Sequence, residues 1–146
     1  MPRVQRSALV SYSSAQMYQL VNDVERYPEF IKQCVATQVH EQSAQEMSAS
    51  IFFNVGPSGI KKSFKTRNTL IPNESIQMTL DSGPFKALKG AWNFTRLAED
   101  ACKIELDLHF EFSNKLMEFG LNHVFTQLCS SMMDAFISRA KEVYHG

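Results

Sequence analysis

The chain has little that marks a specialised class. Its 15 basic and 15 acidic residues cancel to a formal net charge of +0. No global field therefore draws the whole molecule to nucleic acid or acidic lipid, and any such contact needs a local patch. No apolar run approaches the roughly 18 residues that cross a bilayer, and the opening Met1-Pro2-Arg3-Val4-Gln5-Arg6 has no apolar signal region. The 3 cysteines, Cys34, Cys102 and Cys129, are odd in number and widely spaced, with neither CxxC nor zinc spacing. That pattern favours reduced thiols and a cytoplasmic setting.

Catalytic motifs are missing too. His40, His109, His123 and His145 never fall at i, i+4, and there is no HExxH, so no metal site is expected. There is no GxSxG, GxGxxG or phosphate-binding lysine loop. Glu105, Asp107 and Glu111 share the wet side of one strand, where carboxylates are ordinarily solvated surface charge. Cys129 falls on an apolar helix stripe and reads as a small buried hydrophobe. These absences argue against an enzyme and require no cofactor.

What is present is an ordinary soluble composition, 44% hydrophobic and 21% charged over 146 residues, enough for one domain spanning 1–146 with one core. Arg3 to Tyr12 reads as a strand. Ser13 or Ser14 can cap a helix over Ala15 to Val21. Val24 to Ile31 holds Pro28 and predicts a second short helix or turn with Tyr27, Phe30 and Ile31 facing inward. From Cys34 the apolar period changes to 2, and six strands follow. Gly56-Pro57-Ser58-Gly59, Pro72-Asn73, Asp81-Ser82-Gly83-Pro84 and Ala98-Glu99-Asp100 supply turns between them. In the last strand Cys102, Ile104, Leu106, Leu108, Phe110 and Phe112 alternate with Lys103, Glu105, Asp107, His109 and Glu111. Such alternation requires an antiparallel sheet with one dry face.

Lys115 to Tyr144 is helical in period. From Leu121, an apolar stripe roughly 160° wide collects Val124, Phe125, Leu128, Cys129, Met132, Ala135, Phe136, Ala140 and Val143. The fold class is therefore α+β, a curved antiparallel sheet wrapped around a long C-terminal helix, with two short helices after the first strand. An unbroken helix of that length spans about 45 Å, against roughly 38 Å for a compact sphere of this size. A break is expected at Gly120.

Eleven Phe, 4 Tyr, 1 Trp and 7 Met are many large, adaptable side chains for this length. Tyr27, Phe30, Phe64, Met78, Phe85, Leu88, Trp92, Phe110, Phe112, Phe125, Leu128 and Met132 either fill a closed core or line a cavity between helix and sheet. Strong curvature favours the cavity, because one helix does not fill such a sheet. On the wet side, Lys61, Lys65 and Arg67 project from one strand with Lys62 beside them and Lys86 and Lys89 near the next loop. They form either a phosphate-contacting patch or a solvated face paired with Glu105 and Asp107. No aromatic platform interleaves with them, so base reading and DNA are not indicated.

Three segments carry a resemblance. They are Leu20-Val21-Asn22-Asp23-Val24-Glu25-Arg26-Tyr27-Pro28-Glu29-Phe30, then Gly83-Pro84-Phe85-Lys86-Ala87-Leu88-Lys89-Gly90-Ala91-Trp92-Asn93-Phe94, then Phe110-Glu111-Phe112-Ser113-Asn114-Lys115-Leu116 with Asp134-Ala135-Phe136 and Arg139 to Tyr144. Together they resemble the coenzyme-Q-binding, polyketide-cyclase-like branch of the START superfamily, and within it the RatA group. The resemblance implies a helix-grip fold with a deep apolar tunnel under the C-terminal helix and no catalysis. Its implied ligand is ubiquinone or a polyisoprenoid tail, in support of respiratory electron transport. For the RatA group it also implies a toxin that binds the large ribosomal subunit and blocks subunit joining. The implied location is cytoplasmic, with peripheral contact to the inner membrane as an alternative. The sequence departs from the family pattern at Ile31-Lys32-Gln33-Cys34, where relatives often place a proline before the cysteine. An aromatase or cyclase would need an acid–base pair inside the tunnel, and the sequence offers none.

Overall fold

A computed structural model describes residues 3–55 and 60–144, with side chains throughout except at 55, 60, 61 and 116–121. Strand β1 (Arg3–Val10) leads into α1 (Ser14–Asn22) and a 3₁₀ segment (Val24–Glu29). Strands β2 (Cys34–Gln42), β3 (Glu46–Val55), β4 (Ile60–Ile71), β5 (Ser75–Ser82), β6 (Phe85–Ala98) and β7 (Ala101–Phe112) follow, then α2 (Lys115–Tyr144). One antiparallel sheet has the order β1-β7-β6-β5-β4-β3-β2. The meander of six is thus extended by the first strand, which pairs with the last from Arg3↔His109 to Val10↔Cys102. The expected turn at 56–59 lies outside the described residues.

Local chemistry sets each junction. Ser13 Oγ accepts from the Gln16 backbone N–H at 3.1 Å, while Gln16 Oε1 accepts from the Ser13 N–H at 2.9 Å. This capping box satisfies two donors at the start of α1 and contributes about 1 kcal/mol. The Tyr27 hydroxyl donates to the Val21 carbonyl, tying the 3₁₀ segment to the end of α1. In β7 the buried and half-buried positions alternate along all 12 residues, as the sequence pattern requires.

Helix α2 corrects two expectations. It runs unbroken for 30 residues through Gly120, because a single helical glycine costs only about 1 kcal/mol. The compact-sphere diameter does not limit single elements here. Strand β6 alone has 14 residues, about 46 Å of extended chain. The buried face is also rotated relative to the expected stripe. Phe125, Leu128, Cys129, Met133, Phe136 and Ala140 are buried, Met132 is half-buried, and Val143 is 45% exposed. Side-chain placement at Leu121 lies outside the described residues.

Polar contacts hold the helix in the sheet. Arg6 donates to the Ser130 carbonyl at 2.6 Å and reaches Asp134 at 3.2 Å, linking β1 to α2. The Tyr144 hydroxyl donates to the Gln16 carbonyl at 2.9 Å, linking the far end of α2 to α1. Arg139 pairs with Glu29 at 2.7 Å and lies over the Phe30 ring at 5.1 Å.

Gly90 permits the tightest strand approach. A Cβ there would fall 2.4 Å from the Asp107 carbonyl oxygen and 2.9 Å from Leu108 Cα. These are backbone atoms, so relief requires β6 and β7 to part. Gly90→Ala is expected to cost about 1–3 kcal/mol, read as a lower urea midpoint at constant slope. An unchanged midpoint would show that the two strands separate freely.

Candidate ligand-binding site

The concave face of the sheet and α2 enclose a cavity of ≈ 70 Å³. Phe125, Leu128, Cys129 and Met132 of α2 roof it, and the sheet supplies Ala49, Ile51, Phe64, Ile76, Met78, Leu88, Trp92, Leu106 and Leu108. Val21, Asn22, Val24, Tyr27, Ile31 and Cys34 close the side where α1 and the 3₁₀ segment meet β2. Asn22 also lines a shallow outer groove with Tyr18, Gln19, Asp23, Gln42 and Asn73. The cavity thus approaches the surface beside the end of α1. A break at Gly120 would have offered an opening at that end of the cavity, and α2 is continuous through it.

The expected lining residues fall into three groups. Tyr27, Phe64, Met78, Leu88, Trp92, Phe125, Leu128 and Met132 line the cavity. Phe85, Phe110 and Phe112 do not reach it; they form the second layer of one end wall. Phe125 packs against Phe85 at 4.9 Å and Phe110 at 4.7 Å, and Phe85 stacks on Phe112 at 4.6 Å. Their shared strand face told correctly which way they point, but the aromatic cluster is deep enough to hide its far members. Phe30 is likewise outside the lining, packed on Tyr27 and Phe136 under Arg139.

A void of this size is about half the roughly 150 Å³ that admits benzene in an engineered core. The cavity among the described residues is smaller than the deep tunnel that was expected. The methionines among its walls are Met78 and Met132. Methionine has three rotatable bonds and repacks at low cost, so widening needs rotamer changes rather than strand separation.

The titratable groups on the described lining are Tyr27, Cys34 and Cys129. Burial pushes the Cys34 thiol up to about 11 and raises Cys129 and Tyr27 well above their usual ranges. All 3 cysteines are buried and unpaired, as the odd, scattered set suggested. The remaining polarity comes from Asn22, Thr66 and Asn68. Thr66 and Asn68 were passed over in the sequence although the signal is there. The alternation that puts Lys65, Arg67 and Thr69 outward turns Phe64, Thr66, Asn68 and Leu70 inward. Nothing in the pattern around Asn22 marks it.

The basic residues divide as well. Lys65 pairs with Asp81 at 3.2 Å, and Arg67 approaches Glu41 at 4.0 Å. Glu105 and Asp107 are not their partners; these carboxylates meet Lys103 and Arg3. Lys62 has the strand parity of Phe64 and Thr66, so it falls on the concave side, and the Lys61 side chain lies outside the described residues. Lys86 and Lys89 are both exposed because a bulge between Phe85 and Ala87 shifts the alternation. Register aligns Arg67, Thr79, Lys89, His109 and Arg3 in one row across the convex face. Among the described residues no His, Cys, Asp and Glu cluster of metal-binding size occurs, and no helix is long and apolar enough to cross a membrane.

Comparison with known proteins adds to this geometry. Residues 10–137 match the family described as polyketide cyclase / dehydrase and lipid transport. The ribosome association toxin RatA of Vibrio cholerae is 53% identical over 144 residues, 99% of this chain and 99% of that protein. The mitochondrial coenzyme Q-binding protein COQ10 of Drosophila melanogaster is 26% identical over 140 residues, 93% of this chain and 57% of that protein. A START superfamily protein from Mycobacterium smegmatis superimposes with a TM-score of 0.79 at 16% identity, covering 97% of this chain and 98% of that one. The Zhui aromatase/cyclase from Streptomyces sp. R1128 does so at 0.75 and 14% identity, covering 99% and 98%. At those identities the two structures show a shared fold, one that also hosts enzymes.

Proposed function

From the premise that the chain belongs to the polyketide cyclase / dehydrase and lipid transport family, in its RatA and coenzyme-Q-binding branch, we propose that it is a non-catalytic binding protein. Its ligand is a long apolar molecule, a ubiquinone or polyisoprenoid, and its role is to support respiratory electron transport from the cytoplasm and the adjoining membrane surface. The observation that carries this reading is the cavity under α2, whose described lining holds no carboxylate, imidazole or ammonium group. The titratable groups on the described lining, Tyr27, Cys34 and Cys129, all have their pKa raised by burial, which disfavours their ionised forms. Apolar contact supplies most of the affinity, at about 25 cal/mol for each Å² buried. The test is extraction of the purified protein followed by mass spectrometry, then reloading of stripped protein with decylubiquinone. Trp92 is the sole tryptophan and lines the cavity, so quinone uptake is read as quenching of its fluorescence. Protein that carries no lipid and takes up no quinone refutes the reading.

The convex face supports a second role, association with the large ribosomal subunit that blocks subunit joining. The exposed row containing Arg67 and Lys89, with Lys86 beside it, is the observation behind it, alongside the 53% identity to the ribosome association toxin RatA of Vibrio cholerae. Phosphate contacts of this kind are strongly salt-dependent. Wild type is expected to shift ribosome sedimentation profiles toward free subunits, and the Arg67→Glu, Lys86→Glu, Lys89→Glu triple variant to leave them unchanged. Identical profiles with and without wild type reject the role. One function uses the interior and the other the surface, so they do not compete.

A further inference from the structure

We propose that Asn68 holds an oxygen atom of the ligand, so that the cavity takes an oxygenated ring such as a quinone in preference to a bare isoprenoid hydrocarbon. This rests on the lipid-binding reading above. Asn68 lies in the C-terminal half of β4, facing inward, and is only 6% exposed. Its Oδ1 atom is buried with no hydrogen-bond partner, and the residue lines the cavity. Register sets it between Met47 on β3 and Met78 on β5, neither of which offers more than a weak thioether acceptor. A buried acceptor in that position has lost its hydration with nothing in return, and buried polar groups are almost always paired. The fold itself does not ask for an amide here, since the next inward position on the strand is Leu70, 3% exposed.

The surroundings specify what would satisfy it. Thr66, the preceding inward residue on β4, is 5% exposed and lines the same cavity. Asn22, whose Oδ1 is also buried and unpartnered, lines it where it nears the outer groove. The orphaned Oδ1 is an acceptor, so what satisfies it is a donor, the hydroxyl of a reduced ring, while the N–H groups of the same amide can donate to a ring carbonyl of the oxidised form. A hydrocarbon chain leaves it unpaired. The rest of the lining gives the apolar body of the ligand no further polar demand.

The experiment compares two probes, decylubiquinone and the isoprenoid hydrocarbon farnesene, by equilibrium dialysis and extraction on wild type, Asn68→Leu and Asn68→Ala. The leucine variant fills the position and the alanine variant empties it, so a loss common to both comes from the amide rather than from bulk. Quinone affinity is expected to fall about tenfold in both variants, while farnesene affinity holds or rises. Equal changes for the two probes, or quinone affinity within about twofold of wild type in both variants, overturn the proposal. Wild type that binds farnesene and not the quinone also overturns it, leaving lipid binding standing. Wild type that binds neither refutes the lipid-binding reading itself. An ordered water as the only partner of Asn68 would give the second result, with quinone affinity unchanged.

Discussion

Phe125→Ala is expected to lower stability by about 3–5 kcal/mol, the usual cost of truncating a buried phenylalanine. Phe125 is 1% exposed and is the hub of an aromatic cluster. Its ring centroid lies 5.8 Å from Phe53, 5.8 Å from Phe64, 4.9 Å from Phe85, 4.7 Å from Phe110 and 6.1 Å from Phe112. All five pairs are edge-to-face or tilted, each contributing about 0.5–1.5 kcal/mol beyond area burial. Alanine would remove one partner from all of them and leave a void that β-strands on three sides cannot collapse to fill. Since domains are stable by only about 5–15 kcal/mol, the variant should approach the limit of folding at physiological temperature. Urea denaturation is the measurement, with Val143→Ala as a control at a 45% exposed position, where the change should stay within about 0.5 kcal/mol. A loss below about 1 kcal/mol for Phe125→Ala would mean that the end wall is loosely packed.

Ala49→Leu should do the opposite, abolishing binding while sparing the fold. Ala49 is 3% exposed and lines the cavity from β3. The isopropyl group added to the alanine methyl is comparable in size to the ≈ 70 Å³ void. Filling an existing cavity commonly stabilises by about 0.5–2 kcal/mol, whereas adding the same carbons to a tight core costs about 1–3 kcal/mol. The expected result is an unchanged or higher thermal midpoint, with decylubiquinone affinity reduced at least about tenfold, or 1.4 kcal/mol. Full quinone affinity in this variant would place the ligand somewhere other than under α2. A lower midpoint would show that the void is already occupied by side-chain motion.

These two residues also illustrate what a sequence conveys about such a fold. The direction of each side chain was legible wherever a strand alternates cleanly, as in β7, where Cys102 through Phe112 are buried in the expected order. Direction is a property of the local backbone. Depth is not. Phe85, Phe110 and Phe112 face inward as expected yet stop behind Phe125, because depth depends on how several strands converge. On α2 the periodicity identified a helix but set its buried centre too near Met132; Met133, 0% exposed, is the residue that meets the sheet. Residues 132 and 133 differ by about 100° of rotation, and a broad stripe of methionine, alanine and phenylalanine does not decide between them. The bulge between Phe85 and Ala87, which turns Lys86 and Lys89 to the same side, leaves no compositional trace. Thr66 and Asn68 were visible as polar residues at inward positions. Their meaning required the cavity beside them.

The pairing of β1 with β7 fixes the order in which the molecule can be assembled. Arg3 pairs with His109 and Val10 with Cys102, so the first strand made is among the last to find its neighbour. At about 5–20 residues per second of synthesis, β1 waits several seconds for its partner. Loop closure of that length also slows folding after release. Until α2 follows, the sheet has no lid, and Phe85, Phe110 and Phe112 face water. The newborn domain is therefore at its stickiest just before α2 docks. Arg3 and Arg6, which end in contacts with Asp107 and Ser130, meanwhile keep the waiting strand charged and soluble.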